Sequence, residues 1–192
     1  MKTAHIALLG LILALCQGCL TPKSYVDPTF HDATYESLHP ADNGFPIVMA
    51  TVQLNGRPRP EYDANLRTHV INMLRRSRMF SEEVHRPHGR LDIVLNNVGD
   101  VGDAFRRGMG TGLSLGLSGS YVIDGYQMEL TYTPVNGTPV VKNYMHAVFT
   151  TFGAQAPPVA RPAVPLNIAV NTAVEDMVLN FLRDMQKEGR FE

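Results

Sequence analysis

Tryptophan is absent from the 192 residues, and cysteine occurs only twice, at Cys16 and Cys19. With no thiol in the body of the chain, a cysteine nucleophile and a thiolate zinc site are excluded there. A Cys-x-x-Cys redox pair needs a folded βαβ setting, which the apolar leader around these two residues does not offer. An excess of charge is missing as well: 17 basic and 18 acidic side chains leave −1. No basic field would draw nucleic acid, and no acidic tail points to a basic partner. No apolar run is long enough to span a bilayer as a helix. No His-Glu-x-x-His zinc motif occurs, and no serine-hydrolase motif is expected. What is plentiful is glycine (16) and proline (13), which favour turns and short elements.

The N-terminus reads as a secretory signal, with Lys2 before an apolar run from Ile6 to Leu15 that only Gly10 interrupts, and Gly18 as the small residue before a cut. Gly18-Cys19 resembles the lipobox of bacterial lipoproteins, in which the cysteine is acylated and cleavage falls just before it. The other box, Leu13-Ala14-Leu15-Cys16, places a bulky leucine where a small residue is expected, so Cys19 is the lipidation candidate. By that resemblance residues 1–18 are a signal peptide. Leu20, rather than aspartate, after the cysteine implies an outer-membrane, periplasm-facing location. The several acyl chains of a mature lipoprotein would anchor it permanently, where one chain binds only marginally.

Residues 19–45 are polar and show no helical or strand period. They are expected as a tether, with an arm packed on a partner as the alternative. The folded domain is expected over 46–188. Val48, Ala50, Val52 and Leu54 alternate on a strand at 47–54, with Ile47 and Met49 adding apolar character to its other face, and Asn55-Gly56 closes it. Leu66, Val70, Met73, Leu74 and Ser77 form the stripe of a helix over 61–80, acidic at its start and arginine-rich at its end, as a helix dipole favours. Strands follow at 91–98, 126–133 and 140–151, the last two joined through Asn136-Gly137 as a hairpin. After a proline-rich loop, Val170, Val174, Met177, Phe181 and Met185 mark a helix over 166–187. The expectation is one α+β domain of order β-α-β-β-β-α, a mostly antiparallel sheet of about four strands with two helices on one face.

The stretches "LRRSRMFSEEV" and "LDIVLNNV" carry a resemblance. A helix ends in a polar turn, Phe80 follows, and a Leu-Asp-Ile-Val-Leu strand comes next. The pattern resembles the TolB amino-terminal-like fold of envelope lipoproteins over roughly 46–187. Relatives of that fold include the curli secretion lipoprotein CsgG, the exopolysaccharide lipoprotein PelC and the lipoprotein activators of peptidoglycan synthases. The half containing "VIDGYQMELTYTP" and "YMHAVFTTFG" is also similar to a group of proteobacterial lipoproteins in which a Gly-rich apolar segment leads into a hairpin. The resemblance implies action by contact as pore, scaffold or activator, and brings no catalytic residues.

The least ordinary stretch is "GMGTGLSLGLSG", inside an insertion at 100–120. Gly108, Gly112 and Gly116 recur every four residues, whereas Leu113, Leu115 and Leu117 recur every two. As a phosphate loop it fails, lacking both the Lys-Ser or Lys-Thr step and the third glycine of a dinucleotide fingerprint. A close-packing helix, a strand whose small residues admit another backbone, and a loop all remain open. With Arg106 and Arg107 before it, the segment is the candidate interface, because apolar surface on a folded domain marks contact sites.

His85 and His88 with Glu82 are the one imaginable zinc set, and a polar loop is the plainer reading. His69 and His146 read as ordinary partly buried histidines. Asp92, Asp100, Asp103 and Asp124 sit near strand ends, where aspartates usually bend or cap the chain; a catalytic carboxylate pair is the alternative. The expectation is therefore a non-enzymatic outer-membrane lipoprotein without a cofactor, contacting an envelope protein or further copies of itself. An accessory role in secretion or polysaccharide export, and a cell-wall enzyme or metal binder, are the alternatives.

Overall fold

The computed structural model describes residues 22–81, 87–99, 121–151 and 161–191. Strands β1 (Lys23–Val26), β2 (Asn43–Gly44), β3 (Ile47–Leu54) and β4 (Arg57–Pro58) precede helix α1 (Asp63–Ser77). Then come β5 (Phe80–Ser81), β6 (Gly89–Gly99), β7 (Tyr121–Pro134), β8 (Val140–Thr151) and helix α2 (Leu166–Lys187). The main sheet has six strands in the order β1-β8-β7-β6-β3-β4, and β2 and β5 form a separate parallel pair.

The α+β class and the two helices agree with the sequence reading; the sheet is a correction to it. Six strands stand where about four were expected, and the sheet is mixed, because β3 runs parallel to β6. Parallel neighbours need a crossover, and α1 lies within it. The two extra strands are short edge pieces that periodicity does not reveal. β4 turns back from β3 at Asn55 (φ 52°) and Gly56 (φ 74°), the two positive φ values that a tight hairpin turn needs. β1 belongs to the stretch expected as a tether. It pairs antiparallel with β8, Val26 opposite Val148, and Tyr25, Val26, Ala33 and Leu38 are buried. Residues 22–45 are thus packed on the domain.

Alternation sorts the sheet into two faces. Val48, Leu91, Ile93, Leu95, Met128, Leu130 and Tyr132 lie on the face beneath the helices, each 6 % exposed or less. They join Val70, Met73 and Leu74 of α1 and Val174, Met177, Phe181 and Met185 of α2 in one core. Each such side chain contributes about 1.5–3 kcal/mol by leaving water. After α2 the chain folds back, and the Phe191 ring packs edge-on against Tyr132 at 4.9 Å and Phe80 at 5.2 Å. The other face carries Arg90, Asp92, Thr131, Glu129 and Gln127, with Ile47, Met49 and Val141 about half exposed among them.

α1 starts two residues later than expected, because Pro60–Tyr62 is a separate 3-10 turn. Its first residue is held to the sheet where the Val52 N–H donates to Asp63 Oδ1 at 2.7 Å. It stops at Arg78, which is left-handed at φ 57°. Among the described residues no helix is long and apolar enough to cross a membrane.

Candidate functional site

Two polar constellations interrupt the apolar layer between helices and sheet. The first surrounds Asp176 on α2, which is 2 % exposed. A carboxylate so far from water is tolerated only with hydrogen-bond donors around it. The His31 imidazole meets Oδ1 through Nδ1 at 2.6 Å, and the His146 imidazole on β8 meets Oδ2 through Nε2 at 3.0 Å. His146 Nδ1 faces the Ala147 backbone, 2.9 Å from its nitrogen and 3.1 Å from its carbonyl oxygen. His146 is fully enclosed, whereas His31 keeps 38 % of its side-chain surface in water. The segment carrying His31 is fastened by its neighbours too. The Asp27 N–H donates to the Ala147 carbonyl at 3.2 Å, Asn180 Nδ2 donates to the Phe30 carbonyl at 3.1 Å, and the Phe30 ring lies 5.1 Å from the His146 ring. Chemically this is a clasp: α2 and β8 hold the N-terminal segment through one buried carboxylate. Asp124, on β7, lies outside it, and burial raises its pKa above the usual aspartate range.

The second constellation is a cleft of about 800 Å³ between the N-terminal halves of α1 and α2, floored by β3, β6 and β7. Its apolar surface comes from Val52, Leu66, Leu95, Val170 and Val174, and its rim carries Tyr62 and Leu166, 55 % and 47 % exposed. Four asparagines line it: Asn65 from α1, Asn167 and Asn171 from α2, and Asn97 from the floor. Asn97 Nδ2 donates to the Tyr126 hydroxyl at 3.3 Å, while its Oδ1 is buried without a hydrogen-bond partner. An acceptor left in that state costs about 1–3 kcal/mol. Burial, with Asp124 nearby, pushes the Tyr126 hydroxyl well above the ordinary tyrosine pKa, so it stays protonated and able to donate. Among the described residues no carboxylate lines the cleft. Arg59 and His69 also line it: Arg59 reaches Glu61 at 3.6 Å, and His69 Nε2 lies 3.3 Å from the Asn171 carbonyl oxygen.

Neither constellation was named as a site from sequence. His146 read as an ordinary histidine, and Asp176 did not stand out. Its only trace is the acidic pair Glu175-Asp176 between Val174 and Met177, at the start of a mostly apolar stretch of the helix. Asn167 and Asn171, four apart, share a helix face and are the corresponding trace of the cleft.

The residues that were named lie elsewhere. Cys19 and the interface candidates Arg106, Arg107, Gly108, Gly112, Leu113, Leu115, Gly116 and Leu117 fall outside the described residues. So do His85, Glu82, Asp100 and Asp103. His88 stacks on Tyr132, ring centroids 6.1 Å apart, and its carbonyl accepts from the Tyr132 hydroxyl at 2.9 Å. Among the described residues no three His, Cys, Asp or Glu side chains converge as metal ligands. The registers place Asp92 and Asp124 on opposite faces of the sheet, so these two form no catalytic pair; Asp92 is held by Arg90 instead. One pattern also needs correction. Gly112-Leu113-Ser114-Leu115-Gly116 has the Gly-x-Ser-x-Gly spacing. In a hydrolase that spacing works at a turn from strand into helix. Here it lies outside the described residues, between β6 and β7, which are antiparallel neighbours.

No family model matches the sequence, and no curated protein matches it. Among solved structures the chain is similar to a PelC dodecamer from Paraburkholderia phytofirmans, at 15 % identity and a TM-score of 0.32, over 85 % of this chain and 96 % of that one. That likeness is too remote to assign a family or a function.

Proposed function

We propose that this chain is a non-enzymatic lipoprotein of the bacterial envelope, anchored to the outer membrane through Cys19, facing the periplasm and acting by contact with another envelope protein or with further copies of itself. The observation that carries the reading is apolar side chains held at the surface of a well-packed domain. Tyr62 and Leu166 stand at the mouth of the interhelical cleft, and Ile47, Met49 and Val141 stand on the outer face of the sheet. An apolar cleft with an exposed apolar rim offers a surface that a partner can cover. The Gly-Leu segment at 108–119 adds a second apolar element in sequence. An accessory role in secretion or polysaccharide export differs from this reading only in the partner.

Extraction of native membranes in mild detergent, followed by mass determination of the intact particle, tests it. A multiple of one subunit, or a defined second protein, is the expected result; a lone monomer overturns action by contact. Cys19→Ser is expected to move the protein from the membrane to the soluble fraction. Gly112→Asp with Gly116→Asp is expected to abolish assembly without changing the thermal midpoint.

A further inference from the structure

We infer that Asn136 is a site of covalent self-modification: the Gly137 main-chain nitrogen closes onto the Asn136 side chain, and hydrolysis leaves aspartate or its β-linked isomer in its place. The inference is independent of how the chain is anchored and of what it contacts.

The sequence offers this reaction three times, at Asn43-Gly44, Asn55-Gly56 and Asn136-Gly137. Glycine after asparagine leaves the attacking nitrogen unshielded by a Cβ and the backbone free to rotate into the ring geometry. Local sequence therefore makes the three steps alike, and the fold separates them. Asn43 is 6 % exposed, its Nδ2 donates to the Met79 carbonyl at 3.2 Å, and it pairs with Phe80 in the β2–β5 ladder. Ring closure there has to break the ladder and admit water. At Asn55 the nitrogen that must attack is engaged, because the Gly56 N–H donates to Asn96 Oδ1 at 3.0 Å. Closure there also has to undo the turn that returns β4 to β3. Asn136 and Gly137 are both exposed, in a bend between β7, which ends at Pro134, and β8, which begins at Val140. The β7–β8 register closes at Tyr132 opposite Val140, so neither residue belongs to the ladder. Among the described residues nothing hydrogen-bonds to either of them. The Gly137 nitrogen is thus free to turn toward the amide beside it.

The Gly137 nitrogen gives up its proton and bonds to Asn136 Cγ. The Cγ–Nδ2 bond breaks, and Nδ2 leaves as ammonia from a five-membered succinimide. Water then opens the ring at either carbonyl, and the nitrogen recovers a proton. The product is a carboxylate, on aspartate or on an isomer whose main chain runs through Cγ. Nothing is oxidised or reduced, and water is the only co-reactant. The extra main-chain atom of the isomer falls in the bend, outside the ladder. The new charge falls in the lining of a hollow of about 900 Å³ that Asp42, His88 and Arg190 also line.

The test is incubation of the full chain in mild detergent at mildly alkaline pH, followed by digestion in acid and peptide mass spectrometry of each Asn-Gly step against time. Asn136 is expected to convert at least about ten-fold faster than Asn55 and Asn43, whose reactions wait on local opening of the fold. In urea the three rates are expected to converge. Asn96→Ala, which frees the Gly56 N–H, is expected to speed conversion at Asn55 and to leave Asn136 unchanged. Conversion at Asn136 no faster than at the other two in the folded chain overturns the inference. The same spread of rates in urea also overturns it, because local sequence and not the fold then selects the site. An Asn55 rate unmoved by Asn96→Ala does so as well, by removing the protection on which the selection rests.

Discussion

Replacing Asp176 with alanine is the sharpest probe of the clasp. The substitution removes contacts of 2.6 Å to His31 and 3.0 Å to His146. The two histidines respond differently. His31 is 38 % exposed and can turn to water, so its loss is small. His146 is enclosed, and its Nδ1 already faces the Ala147 backbone, so its Nε2 is left buried and unpaired. Leaving a buried polar group unpaired costs about 1–3 kcal/mol. With the His31 hydrogen bond lost as well, the expectation sits at the upper end, about 3 kcal/mol. For a chain of this size each kcal/mol moves the thermal midpoint by about 2–4 °C, so a fall of about 6–12 °C is expected. The assay is thermal and urea denaturation followed by circular dichroism. His31→Ala alone should cost about 1 kcal/mol, the usual worth of one partly exposed hydrogen bond to a charged group. In the Asp176→Ala background it should cost almost nothing, because the acceptor is already gone. If Asp176→Ala costs less than about 1 kcal/mol, or the two effects simply add, the carboxylate does not hold residues 22–45 and the clasp reasoning is wrong.

Asp124 gives a pH-dependent prediction. Its folded-state pKa is raised by burial, so its favourable contribution is present below the unfolded aspartate value and is lost as pH rises through the folded value. Asp124→Asn is therefore expected to raise the thermal midpoint at pH 7, with the gain vanishing in acid; an equal gain at both pH values would contradict the assignment. At the alkaline end, burial pushes Tyr132 up to about 12, and Tyr126 and Tyr144 are raised by burial as well, Tyr144 also by its hydrogen bond to Asp184. Absorbance at the tyrosinate wavelength should show these three ionising only together with unfolding, which is lost stability as pH climbs past the ordinary tyrosine value; early, independent titration of all tyrosines would refute it. Gly89→Ala would place a Cβ 2.4 Å from the Thr133 carbonyl oxygen, across the β6–β7 pair. Overpacking of that kind costs about 1–3 kcal/mol, measurable as a lower urea midpoint at unchanged slope.

The helices and the long strands were legible because each buries one face over many residues, and period is then a direct image of the core. The stripe Leu66, Val70, Met73, Leu74, Ser77 is the buried face of α1 without a change, and Tyr126 to Tyr132 alternate as expected on β7. What failed was short or long-range. Two paired residues in β4 cannot carry a period. β1 is defined by pairing with β8 far along the chain, which no local pattern records. Parallel pairing of β3 with β6 is likewise a choice among topologies that both strands permit. The clasp and the cleft escaped for a related reason. His31, His146 and Asp176 come from three separate elements, and their chemistry exists only once Asp176 Oδ1 and Oδ2 have a histidine each.

The position of β1 sets an order of events. Ser24 hydrogen-bonds to Thr150 across 126 residues of chain, and His31 reaches Asp176 across 145. A chain made from its N-terminus therefore delivers residues 22–45 first and needs them last. Their dock does not exist until β8 and α2 have been made and have packed. The local pieces, α1 and the hairpin of β7 and β8, can form beforehand, while the edge of β8 stays open to pairing until its own N-terminal strand returns. The first part of the domain to be made is thus also the one that completes the sheet, so the last step of folding falls at its N-terminal end.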